Sequence, residues 1–152
     1  MADPGRDRAV AGLAPQPLGE RLRALASFLA AFEAEGFEFG AWAGGDKIGP
    51  RSYTMPYYSF GPIAEDFLRR GVAGWVTPAF DWPAWAATEE FQRLSRDPDA
   101  LTGATPDDLA RLLTVLVRSE RFGDGQLAAA FDSGLLVGIL RRAQVLASEL
   151  DG

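Results

Sequence analysis

The sequence predicts a mainly α, compact helical domain with a minor β-strand or hairpin element around residues 37–58. Three observations carry that reading. Apolar residues recur at i, i+3, i+4 spacing over Leu22 to Phe32, Leu109 to Val117 and Leu135 to Leu150. Helix start signals, an acceptor side chain followed by an early proline, stand at Asp81-Trp82-Pro83 and Thr105-Pro106. Only Phe37 to Trp42 alternates with period two. With 152 residues, 47% hydrophobic and 24% charged, the chain suits one globular domain that needs no covalent staples.

Met1 to Pro17 carries Pro4, Pro15, Pro17, Gly5 and Gly12 without apolar period, and reads as a flexible tail before a single helical domain over residues 18–152. The first helix presents Leu22, Leu25, Phe28, Leu29 and Phe32 on one face and stops at Gly36. Phe37 to Trp42 is a short strand, with Gly44-Gly45-Asp46 as the turn after it. Gly49 to Phe60 holds two prolines and all three tyrosines and reads as an extended strand or ordered loop. Pro62 opens a helix over Ile63 to Arg70 that Gly71 stops. Asp81-Trp82-Pro83 opens another, running to about Ser95, and Asp97-Pro98 begins a short turn or helix.

From there the signals are denser. Thr105-Pro106-Asp107-Asp108 places a cap, a first-turn proline and two acids at the positive end of a helix dipole. Phe122-Gly123-Asp124-Gly125 breaks that helix, Gln126 to Asp132 forms a short one, and Ser133-Gly134 opens the last. Its buried face is Leu135, Leu136, Ile139, Leu140, Ala143, Leu146 and Leu150. Gly134 and Gly138 on it permit close approach of a helix, inside the fold or in a dimer.

Composition excludes several chemistries. Cys and His are both absent, which removes disulfides, thiolate nucleophiles, imidazole triads and zinc sites of the Cys/His kind. No cofactor or metal is expected, and no residue is nominated as catalytic. No apolar stretch approaches the roughly 20 residues of a membrane helix, so no membrane partner is expected. Met1 to Pro17 lacks a signal-peptide apolar region, and the expected location is cytoplasmic. Net charge is −6, and the half from residue 77 onward holds 7 basic against 12 acidic residues. Phosphate neutralisation dominates nucleic-acid affinity, so this balance argues against a helix-turn-helix reader despite Arg141, Arg142 and Gln144 on the last helix.

Candidate chemistry lies in two places. Of 17 aromatic residues, 13 fall between Phe37 and Phe91, including every Trp and Tyr, which reads as a binding face, a pocket lining or simply an aromatic core. Gly40 to Gly49 has glycines at phosphate-loop spacing but Asp46 where the lysine is required, so the motif fails. The second place is Arg118-Ser119-Glu120-Arg121-Phe122-Gly123-Asp124. Arg118 and Arg121 are three apart and share a face at the C-terminal end of a helix, and Asp124 is positioned to cap the next one. Such a turn offers an anion site. The competing reading is an Arg–Asp network, with Asp81 or Glu65, that fixes the angle between helices. The candidate binding set is Arg118, Arg121, Asp124, Tyr57, Tyr58, Asp81 and Trp82.

The stretch Thr105 to Leu150, and within it LLTVLVRSERFGDGQLAAAFDSGLLVGILRR, resembles the C-terminal core of a bacterial family catalogued as domain of unknown function 6508. Trp42-Ala43-Gly44-Gly45 and Thr54-Met55-Pro56-Tyr57-Tyr58-Ser59 are similar to its other two signposts. In that family the two residues between Phe and Gly are often Cys-Glu. Here Gly123-Asp124 keeps the acid and drops the thiol. The resemblance implies no activity, but it implies that Tyr57, Tyr58, Arg118, Arg121 and Asp124 belong to a common feature.

The expected function is therefore a small non-catalytic binding or interaction protein, holding a small anionic ligand or an acidic protein partner at the Arg118/Arg121 turn. A homodimer fits the same features. The alternative is an enzyme that moves protons with Asp81, Glu120, Asp124 or a tyrosine and stabilises anions with the arginines, with Mg²⁺ rather than zinc as its metal. A nucleic-acid binder is the third reading.

Overall fold

The computed structural model describes residues 16–151. The expected tail, residues 1–17, lies outside them except for Gln16 and Pro17, which precede the first helix. The fold is mainly helical with a small antiparallel β element. Helix α1 (Leu18–Ala26) and the one-turn α2 (Leu29–Phe32) lie along α9 (Leu135–Asp151), the longest helix. They run antiparallel to it: Arg23 pairs with Asp151 at 3.2 Å near one end, and Glu33 pairs with Arg141 nearer the other. The expected single helix over Leu22 to Phe32 is thus two pieces, interrupted at Ser27 and Phe28. Ser27 donates its hydroxyl proton to the carbonyl of Ala24, a local bond that competes with the helical ladder. All five apolar positions of the stripe are nonetheless buried, because the interruption does not change the face.

Helix α7 (Pro106–Glu120) sits beside α8 (Gln126–Asp132) and contributes Leu109, Leu112, Leu113 and Leu116 to the core. Its start follows from the sequence. The Thr105 hydroxyl accepts the Asp108 N–H at 3.1 Å, and the Asp108 carboxylate accepts the Thr105 N–H at 3.0 Å. Against this frame pack α3 (Pro62–Asp66), which runs into a π-helical turn over Phe67–Gly71, and then α4 (Trp82–Ala86), α5 (Glu89–Arg96) and α6 (Pro98–Leu101). The expected helix from Asp81 to Ser95 is α4 and α5, split where the Thr88 hydroxyl accepts the Phe91 N–H and starts a new helix. Leu150, expected on the buried face of the last helix, is 57% exposed in the last turn of α9.

One buried cluster joins these elements, and its aromatic part centres on Phe32. That ring lies within 6.2 Å, centroid to centroid, of Phe28, Phe37, Phe39, Phe67 and Phe131. Part of the aromatic density is therefore core, with Phe39, Phe67 and Phe131 meeting Phe32 edge-to-face and Phe37 stacked on it.

The rest is displayed on a β ribbon. Strand β1 (Gly40–Ala43) pairs antiparallel with β4 (Tyr57–Phe60), with Gly40 opposite Phe60 and Trp42 opposite Tyr58. Beyond them, β2 (Lys47–Gly49) pairs with β3 (Ser52–Tyr53), and backbone bonds between Gly45 and Thr54 and between Thr54 and Asp46 join the two ladders. The chain reverses after Gly49, not at Gly44-Gly45-Asp46 as expected. Gly44 instead makes a kink: its φ is +77°, and a Cβ there would stand 2.3 Å from the Met55 carbonyl oxygen. Only glycine fits that approach. The expected β element near residues 37–58 is therefore a single long ribbon over residues 40–60, most of whose outer part is exposed.

Candidate functional site

The candidate turn lies between α7 and α8 and is organised by its carboxylates. Glu120, in the last turn of α7, reaches forward and accepts the N–H of Gly125 at 2.8 Å and of Leu127 at 2.9 Å. It is Glu120, not Asp124 as expected, that caps α8. A helix leaves its first N–H groups without partners, and a carboxylate there also meets the positive end of the dipole. Asp124 is released for another task. Its carboxylate accepts the backbone N–H of Tyr58 at 2.9 Å and so fastens β4 to the turn.

Trp42 completes the joint from the opposite strand. Its ring meets Tyr58 edge-to-face at 5.5 Å and lies over Gly125, where a Cβ would stand 2.6 Å from Trp42 Cζ2. Gly125 has φ +98°, so glycine serves both the backbone geometry and the indole.

Arg118 and Arg121 stand at the same helix end. Arg118 falls one turn after Thr114, whose hydroxyl accepts the Thr77 N–H at 3.0 Å, and one turn before Phe122. Phe122 is 83% exposed and 6.1 Å from the Trp82 ring. The Arg118 side of α7 therefore borders the segment that leads into α4. Asp81 is spent within that segment, its carboxylate accepting the Ala84 N–H at 3.2 Å as the cap of α4. Among the described residues neither Arg118 nor Arg121 makes an ion pair or a side-chain hydrogen bond. The expected Arg–Asp lock with Asp81 or Glu65 is absent among the described residues.

Of the seven candidates, then, Tyr58 and Asp124 are directly bonded, and Trp82 reaches the turn through Phe122. Tyr57 points to the opposite face of the ribbon, as strand alternation requires, and is exposed. Asp81 is structural. Glu120 was missing from the set, and its spacing gave no signal, because a glutamate at a helix end is common.

The Arg-Phe-x-x-Gly turn, bonded to the Tyr-Tyr strand and covered by the Trp42 ring, joins three separate segments of the chain in one structural feature. A family model of a family of unknown function, DUF6508, matches residues 17–149. The chain belongs to DUF6508. No curated protein and no solved structure is detectably similar to it.

In this DUF6508 protein, Tyr58 also has a distinctive electrostatic setting. Burial, then the nearby charges of Asp132 and Glu120, push its phenol above the ordinary tyrosine value. The folded state therefore holds the Tyr58 proton after the unfolded chain has lost it. Stability from this difference is complete below about pH 10 and is lost as the pH rises through the folded value. Alkaline unfolding is expected to begin at higher pH in Tyr58→Phe, and an unshifted alkaline midpoint in that variant would contradict the assignment.

Among the described residues no cluster of three or more carboxylates gathers as a metal site, and no helix is long and apolar enough to cross a membrane. A cleft of about 600 Å³ lies between α5, α6 and α9, and includes no aromatic side chain and none of the seven candidates.

Proposed function

We propose that this protein is a non-catalytic interaction module that docks an acidic segment of a partner protein against the Arg118/Arg121 turn and the adjoining aromatic surface. One observation carries the reading. Glu120 and Asp124, the carboxylates closest to the arginines along the chain, are both committed to backbone N–H groups, which leaves two guanidinium groups without a carboxylate of their own. The surroundings have the make-up of a binding face. Trp42 and Phe122, both at the turn, are more than half exposed, and aromatic residues and Arg are enriched at protein interfaces. An arginine fork can donate to both oxygens of one carboxylate, and exposed rings supply the apolar contact around it.

The test is native mass spectrometry of protein purified gently from the cells that make it. An added polypeptide mass with an acidic sequence is expected. Arg118→Ala should weaken that complex roughly thirty-fold, an interface loss of about 2 kcal/mol. Retention of the same partner by an Arg118→Ala/Arg121→Ala protein would contradict the proposal. A retained small anion lost in that variant would replace the protein partner by a ligand at the same turn.

A further inference from the structure

We infer that the cleft between α5, α6 and α9 binds a small amphiphilic monoanion, an apolar chain ending in a carboxylate or a comparable headgroup. Its volume, about 600 Å³, falls within the range of small-molecule sites. The floor is aliphatic: Leu94, Leu101 and Leu135 are buried there, and Val145, 47% exposed, stands at the mouth. Gly138 belongs to the same lining, and a Cβ on it would come within 2.8 Å of Leu101 Cδ1. The glycine thus sets how closely α9 approaches α6 at the base of the cleft.

The polar groups at its edge select the headgroup. Arg96 makes no ion pair or side-chain hydrogen bond among the described residues. Arg142 uses Nε to hold the Ala104 carbonyl at 2.7 Å, which fixes its guanidinium and leaves both Nη groups to donate. Arg141 is already paired with Glu33. Two carboxylates share the lining. Asp97 accepts the Asp99 N–H at 3.0 Å as the cap of α6, and Asp99 stands in the first turn of that helix. They oppose a polyanion such as a nucleotide, while a single charge can meet Arg96 and Arg142. An apolar tail on leucine and a single anion on arginine match the two halves of the lining.

The probe is 1-anilinonaphthalene-8-sulfonate, one sulfonate on an apolar body, titrated by fluorescence and then displaced by octanoate. Saturable one-to-one binding is expected. Octanoate should displace the probe at least about tenfold more effectively than octylamine, the cation of equal tail length. Val145→Trp, at a position already exposed, should fill the mouth and abolish binding while the melting temperature holds. Arg96→Ala should weaken binding about tenfold or more, the loss of one charge-assisted contact. No saturable binding, equal displacement by octylamine, or binding that survives Val145→Trp would overturn the inference. So would loss in Trp42→Ala with retention in Val145→Trp, since the probe would then sit on the ribbon. The cleft shares no residue with the Arg118/Arg121 turn, so an unchanged Arg118→Ala/Arg121→Ala control separates this test from that of the partner site.

Discussion

Replacing Trp75 by alanine is expected to lower the free energy of unfolding by about 3–5 kcal/mol, the usual cost of emptying a site that held a large ring. Trp75 is 1% exposed and follows the π-helical turn, where it ties that segment to α1. Its indole N–H donates to the Arg21 carbonyl at 3.3 Å. The Arg21 guanidinium lies over the ring at 4.9 Å and donates through Nη1 to the Gly74 carbonyl at 3.0 Å. The two residues therefore hold each other through packing, a hydrogen bond and a cation–π contact. Alanine would leave a cavity and release the arginine, whose Nε is buried without a partner among the described residues. Trp75→Phe keeps much of the volume and loses the N–H, so it should fall between wild type and alanine. Urea unfolding followed by circular dichroism reads all three, and a loss below about 1 kcal/mol in Trp75→Ala would show that the latch contributes little.

Glu120→Ala is expected to cost about 2–3 kcal/mol and to loosen the ribbon as well. One carboxylate satisfies two partly buried N–H groups, and bonds to charged acceptors are worth roughly 1.5–3 kcal/mol. Without it, the first turn of α8 loses its cap and the 122–125 turn loses its fixed shape. Asp124 would then hold Tyr58 less well, although neither of those residues has changed. Hydrogen exchange distinguishes this from a general loss of stability. Protection of the Tyr58 amide should fall further than protection within α7, whereas a uniform fall would contradict the coupling. Glu120→Gln retains an uncharged acceptor and should cost less than alanine.

Much of the helical frame was legible in the sequence, because α7 and α9 have long apolar periods and Thr105 caps α7 as expected, with Asp108 adding the reciprocal bond of a capping box. The misreadings arose where one local signal has two physical uses. Gly44 and Gly45 both have positive φ, as a turn would require, yet they kink a ribbon whose reversal lies beyond them. Thr88 falls inside a continuous helical pattern, yet its hydroxyl caps α5. The exchange of roles between Glu120 and Asp124 depends on how the turn folds back, and spacing along the chain does not encode it. The leucine-lined cleft was invisible because it forms only when α5 and α6 meet α9, segments about forty residues apart in the sequence.

The partner-binding proposal requires that Arg118 and Arg121 not be needed to hold the fold together, and urea unfolding of Arg118→Ala/Arg121→Ala measures that directly. Guanidinium groups at a helix C-terminus gain a little from the dipole, and exposed substitutions otherwise change stability only slightly. The double variant is therefore expected to lose about 1 kcal/mol or less. A loss of about 3 kcal/mol or more would mean that the arginines belong to a structural network, and the proposed docking site would be architecture.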